Sequence, residues 1–149
     1  RIYIGPDGES FKAFNTLDGH GMRMLKQSGV ELVIVSGRTS RCVEARAQNL
    51  GIGLLYQGVE DKLEVYSSLL AKSGLAPEAT AFIGDDVVDL PVMRRCGLAI
   101  CVPDSPALVK QHAHYVTRLP GGRGAVREIC ELIMQAQGTF QPQMSRYLE

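Results

Sequence analysis

Ile83-Gly84-Asp85-Asp86-Val87-Val88-Asp89 is the stretch that decides the fold. It closes the apolar run Thr80–Ile83 with three carboxylates in five residues. An apolar run of that length fits a strand buried in a parallel sheet, and acids just past it fall at the strand's carboxyl end, where open α/β sheets place their ligands. Carboxylates also suit the positive end of a helix, so capping is one explanation. Three like charges this close repel unless something positive sits among them, however. A hard cation with oxygen ligands, such as Mg²⁺, meets that need.

Two more strand ends carry chemistry. Leu32–Val35 is a continuous apolar run, read as a parallel strand buried on both faces, and Val35-Ser36-Gly37-Arg38-Thr39 follows it. A hydroxyl, a glycine and the start of a helix could hold a phosphate oxygen, although Ser and Gly also make ordinary turns here. Lys62 stands near the start of the helix Asp61–Lys72, after the short strand Gly53–Tyr56. A helix lysine is commonly a solvated charge, but this one follows a strand and so reaches the same sheet edge.

The remaining elements alternate at short spacing. Ile2–Ile4, the turn Gly5-Pro6-Asp7-Gly8, and Glu9–Phe14 read as a hairpin, because Pro fixes φ and Gly accepts positive φ. Helices are expected at Asp18–Ser28, Thr39–Leu50 (ending at Gly51), Val87–Arg95, Ser105–Gln111 and Gly124–Gln137, and strands at Leu98–Val102 and Tyr115–Thr117. The tail to Glu149 is polar and carries no element. This pattern implies one α/β domain over 1–149, a Rossmann-like parallel sheet with helices on both faces and an N-terminal β-hairpin flap.

Bulk properties exclude other classes. The 149 residues balance 16 basic against 16 acidic side chains, which argues against a nucleic-acid partner. No apolar run is long enough to cross a bilayer, and no signal peptide is expected. Four scattered cysteines form no metal-type pair, and they fit free thiols in the cytoplasm. No Gly-x-Gly-x-x-Gly follows a strand, which disfavours a dinucleotide binder.

Ser36 in Ser-Gly-Arg, Lys62, and Gly84-Asp85-Asp86-x-x-Asp89, in that order and on those elements, resemble the second, third and fourth motifs of the haloacid dehalogenase superfamily. Phe14-Asn15-Thr16-Leu17-Asp18-Gly19-His20-Gly21, Tyr56-Gln57-Gly58 and Gly121-Gly122-Arg123-Gly124-Ala125-Val126-Arg127-Glu128 are similar to a capless branch of that superfamily. That branch acts on phosphorylated keto-sugar acids in lipopolysaccharide precursor synthesis. The likeness runs from residue 1 to about 137.

The resemblance implies a Mg²⁺-dependent phosphatase in which one Asp attacks phosphorus and a second Asp acts as acid and base. It makes Ser36 and Lys62 catalytic holders of the phosphoryl oxygens and Asp85 the metal ligand. Asp86 and Asp89 become water-mediated or outer supports of the metal. Substrate contacts are expected from Asn15, Thr16, Leu17, Asp18 and Gly19, and from Gly37. Arg23, Arg38, Arg46 and Arg123 are candidates for the acid group, since Arg forks suit carboxylates. The branch forms homotetramers in which a neighbour completes the site, and Arg123 among its glycines suits that reach.

One motif of the superfamily is missing. No Asp-x-Asp occurs in these residues; Asp7 sits at a hairpin tip, Asp18 in a loop, and neither has an acid two positions earlier. The chain opens on Arg1 rather than Met, so the expectation is an N-terminally incomplete record of an active enzyme whose Asp pair lies upstream. The alternatives are a phosphatase for nonulosonate 9-phosphates, and a non-catalytic binding or scaffold module.

Overall fold

The computed structural model describes residues 2–149; Arg1, read with the first strand, lies outside the described residues. In chain order the elements begin with β1 (Tyr3–Gly5), β2 (Gly8–Phe11), α1 (Thr16–Gln27), β3 (Val33–Val35), α2 (Arg41–Leu50) and β4 (Leu54–Tyr56). They continue with α3 (Lys62–Ser73), β5 (Ala81–Ile83), α4 (Leu90–Met93), β6 (Leu98–Cys101), α5 (Ala107–Gln111) and β7 (Tyr115–Val116). The chain closes with α6 (Ala125–Ala136) and α7 (Phe140–Ser145). Strands β5, β6 and β7 pair in parallel in that order, β3 pairs with β4, and β1–β2 is the antiparallel hairpin. The α/β class with parallel pairing and a hairpin at the start is as the sequence predicts.

Local chemistry sets these boundaries. Asn15 accepts the Asp18 N–H at 3.0 Å and so starts α1 two residues earlier than the apolar pattern suggests. Ser40 caps α2, and Asp61 caps α3 by accepting from Leu63 N and Glu64 N. Gly51 closes α2 in the left-handed conformation, at φ 70°. Val87–Arg95 is broken into a 3-10 turn, Val87–Asp89, and the four-residue α4 with Pro91 near its start.

The described residues group into two compact units. The first comprises the residues up to Ile34, Thr39–Leu55 and Gly121–Glu149. In it, Met24 and Leu25 of α1 pack with Cys130 and Met134 of α6, joined by Phe140 and Met144 of α7. Ala47, Leu50 and Ile52 form a second cluster there with Met22, Leu32, Ile34 and Leu55. The tail is therefore not featureless: Phe140 and Met144, one turn apart, turn an apolar edge inward.

The second unit comprises Val35–Arg38 and Tyr56–Pro120. Met93, Cys96, Ala99, Cys101 and Val109 form its core, with Tyr66, Phe82 and Leu90 packed against it. β6 lies between two strands and is nearly fully buried, whereas β5 has one neighbour among the described residues and exposes Ile83. Val33 of β3 is likewise exposed, so the expectation of a strand buried on both faces does not hold for β3. A strand with a neighbour on one edge leaves part of its apolar surface uncovered.

Candidate functional site

The acidic turn after β5 folds around Asp89. Its side chain is buried, and Oδ2 accepts the backbone N–H of Asp85 at 2.9 Å and of Asp86 at 3.2 Å. Oδ1 accepts from Lys62 Nζ at 2.6 Å. Gly84 makes the turn possible: a Cβ there would press on Asp89 and come within 2.9 Å of both Asp89 Cγ and Met93 Sδ. Asp86 accepts the Val87 N–H at 2.7 Å and starts the 3-10 turn. Asp89 and Asp86 therefore act by direct bonds within the turn, an arrangement compatible with the outer support expected of them.

Lys62 is the first residue of α3, at the positive end of a 12-residue helix. A cation is disfavoured there. The Asp89 carboxylate offsets that cost and fixes the ammonium beside the acidic turn. Lys62 is thus held in place rather than solvated, which separates it from an ordinary helix lysine.

Ser36 belongs to the same unit. Its N–H donates to Tyr56 O at 2.9 Å, its carbonyl accepts from Val59 N at 3.0 Å, and its hydroxyl oxygen accepts from Arg38 N at 3.2 Å. A Cβ on Gly37 would meet Val59 O at 3.4 Å, so the turn lies tight against the loop that leads to Lys62. Helix α2 begins at Arg41, five residues past Ser36, so the backbone N–H groups nearest Ser36 belong to the Gly37–Arg38 turn and not to a helix N-terminus. Arg38 is exposed. No hydrogen bond among the described residues joins Ser36 to Lys62, Asp85 or Asp89.

Asp85 presents an exposed side chain beside this network. Its backbone is held by Asp89, which leaves its carboxylate to face solvent. No group of three or more His, Cys, Asp or Glu among the described residues forms a ready metal site. One free hard-oxygen ligand still fits Mg²⁺, which takes one or two carboxylates and fills its octahedron with water and phosphate oxygens. The exposed Asp85 carboxylate has the chemistry of such a ligand.

The first unit holds the other candidates, and it uses most of their side chains internally. Asn15 caps α1. Asp18 is buried, and its two oxygens accept from Gly124 N at 3.2 Å and Arg127 N at 2.9 Å, so its carboxylate is spent on α6 rather than on a substrate. Arg23 Nη2 donates to Asn49 O at 2.5 Å, and Lys26 donates to Gly51 O; both cations sit at the negative end of α2. Arg46 Nη2 reaches Asn15 O at 3.4 Å, and its guanidinium lies 5.8 Å over the Phe14 ring. A Cβ on Gly19 would strike that guanidinium. Thr16, Leu17 and Arg123 are exposed. The use of Asp18 as a remote cap and of Arg23 as a helix-end ligand escaped the sequence, since the partners stand 106 and 26 residues away.

The haloacid dehalogenase-like hydrolase family matches residues 7–97. The chain is 52% identical over 140 residues to the 3-deoxy-D-manno-octulosonate 8-phosphate phosphatase KdsC of Yersinia pestis, covering 94% of this chain and 75% of that protein. A crystal structure of the Yersinia pestis phosphatase superposes with a TM-score of 0.91 at 50% identity, over 95% of this chain and 76% of that one. The Moraxella catarrhalis phosphatase, solved with magnesium ion, phosphate ion and KDO, superposes with a TM-score of 0.94 at 41% identity, over 99% of this chain and 84% of that one. The chain belongs to the haloacid dehalogenase-like hydrolases and, within them, to the family of 3-deoxy-D-manno-octulosonate 8-phosphate phosphatases.

Proposed function

We propose that the protein hydrolyses 3-deoxy-D-manno-octulosonate 8-phosphate to the free sugar acid and phosphate, with Mg²⁺ as its cofactor. The Lys62–Asp89 pair supports this reading, because it holds the Lys62 ammonium beside the turn that carries the exposed Asp85 carboxylate. Lys62 and Ser36 hold phosphoryl oxygens as negative charge shifts onto them. A bound Mg²⁺ supplies charge neutralisation between the phosphate and the attacking carboxylate. The attacking Asp and its acid–base partner belong to an Asp-x-Asp segment that residues 1–149 do not contain, so the activity is proposed for the protein that carries it.

Arg38, exposed beside Ser36, is proposed for the substrate carboxylate, with Thr16, Leu17, Gly19 and Gly37 as further contacts. Arg123 is proposed to reach the substrate of a neighbouring copy in a homotetramer. Cytoplasmic location is the matching proposal; no helix among the described residues is long and apolar enough to cross a membrane.

Phosphate release by the complete gene product, with and without EDTA, tests the reading. The panel is the 8-phosphate substrate, a nonulosonate 9-phosphate and simple sugar phosphates. Metal-dependent release highest on the 8-phosphate is expected. Metal-independent release, or none on either keto-sugar acid, overturns it.

A further inference from the structure

Helix α6 begins at a glycine N-cap. Its N-cap is Gly124, at φ 111°, which has no side chain to accept a hydrogen bond from the first turn. Such amides ordinarily turn to water. Here one acceptor arrives from the other end of the chain. Asp18, only 6% exposed, accepts from Gly124 N at 3.2 Å and from Arg127 N at 2.9 Å. An anion at the start of a 12-residue helix is stabilised by the same aligned N–H groups.

The contact is specific in its geometry. The Arg127 side chain turns away and pairs with Glu131 at 2.5 Å, so it is the backbone of Arg127 that meets Asp18. Three residues after Asp18, Gly21 admits α6 closely: a Cβ there would fall 2.8 Å from Arg127 Cδ and 3.1 Å from Arg127 Cα. Helix α1 therefore grips the first turn of α6 by a carboxylate and by a missing side chain. The residue before Gly124 is the exposed Arg123, on the turn Gly121–Gly124.

We propose that Asp18 is a positioning residue whose buried carboxylate closes the first turn of α6 and so sets the 121–124 turn that presents Arg123 to the acid group of a neighbouring copy's substrate. This rests on the phosphatase reading above. Asp18 touches neither substrate nor metal in this role. It ties the Asn15–Gly19 segment to the Arg123 turn, so that two candidate substrate segments move as one. Asparagine cannot replace it: an amide offers one acceptor oxygen, and its NH₂ would face the second N–H.

The test uses the complete enzyme, with D18N, R123A and the double variant. Steady-state kinetics are measured on the sugar-acid phosphate and on p-nitrophenyl phosphate, which has no carboxylate. D18N is expected to raise KM for the sugar-acid substrate roughly tenfold, more than it changes kcat, and to affect p-nitrophenyl phosphate less. The double variant should show the KM of R123A alone. Equal losses on both substrates, additive effects of the two changes, or an unaltered KM in R123A overturn the proposal. Amide exchange keeps the test open should D18N fold poorly. In the unmodified enzyme, Gly124 and Arg127 N–H should be protected although they lie at a helix start, and rapid exchange at both overturns it. If the unmodified enzyme releases no phosphate from the sugar acid, the functional reading itself fails, and the exchange data then judge the cap alone.

Discussion

Lys62 Nζ lies 2.6 Å from Asp89 Oδ1, and the other oxygen of that carboxylate holds the backbone N–H groups of Asp85 and Asp86. One buried carboxylate thus fixes both the Lys62 ammonium and the turn that carries the exposed carboxylate of Asp85. The Asp89 side chain is 3% exposed and that of Lys62 16%, so solvent screens this pair weakly.

Removing either partner should cost more than a surface ion pair would. K62A leaves Asp89 buried without its cation, and D89A frees two N–H groups and the ammonium. Each is expected to lower stability by about 3 kcal/mol in urea unfolding. K62A should also cut phosphate release on the order of 100-fold, since it removes charge that stabilises the transition state.

Gly84→Ala probes the same turn through packing alone. The added methyl would meet Asp89 Cγ and Met93 Sδ, both at 2.9 Å, and Met93 belongs to the core of its unit. Overpacking of this kind costs roughly 1–3 kcal/mol. A lowered Tm together with reduced activity is expected, and an unchanged Tm would show that Asp89 yields freely.

Metal dependence should centre on Asp85. Chelation by EDTA is expected to abolish phosphate release, and added Mg²⁺ to restore it. D85N should raise the Mg²⁺ concentration for half-maximal activity by about tenfold or more while leaving Tm nearly unchanged, because the side chain is exposed. Activity titrated against Mg²⁺ checks this.

Alkaline conditions should weaken the first unit through Cys130. Burial, and next the negative charge of Asp18, push its thiol from an ordinary 9.0 up to about 12. In the unfolded chain the thiol ionises first, so between those two values the unfolded state binds fewer protons. Stability is therefore complete below 9.0 and falls as pH rises toward about 12, by at most about 1.4 kcal/mol per pH unit. C130A should lose that part of the slope, as read by urea unfolding at stepped pH.

The tail offers a plain packing test. Phe140 packs against the cluster of Met24, Leu25, Cys130 and Met134. F140A is expected to cost roughly 2 kcal/mol, since the ring is only partly buried. A chain ending at residue 137 should lose at least as much in the same urea titration.

Much of this was legible in the linear chain. The strand-to-turn sequence Ile83-Gly84-Asp85, the Ser36 turn and Lys62 at a helix start depend on periodicity and capping, which act over a few residues. The hairpin was readable from Pro6-Asp7-Gly8 for the same reason. Less was legible for α1, whose start shifts to Thr16 because Asn15 caps it, and for the tail, where only Phe140 and Met144 signalled a helix. The candidate arginines could not be sorted in advance. Arg23 and Arg46 have the chemistry to bind a carboxylate, and only packing shows them engaged with Asn49 O and Asn15 O.

The sequence by itself determined the order of the elements, the motif set and the family, because each rests on residue type and short spacing. The tertiary structure alone decided what each acid does. Asp89 binds Lys62 across 27 residues and Asp18 caps a helix across 106, while Asp85 stays open to solvent. The three are chemically alike, so their roles follow from where the folded chain brings donors to them and excludes water, a matter of long-range packing that local sequence does not encode.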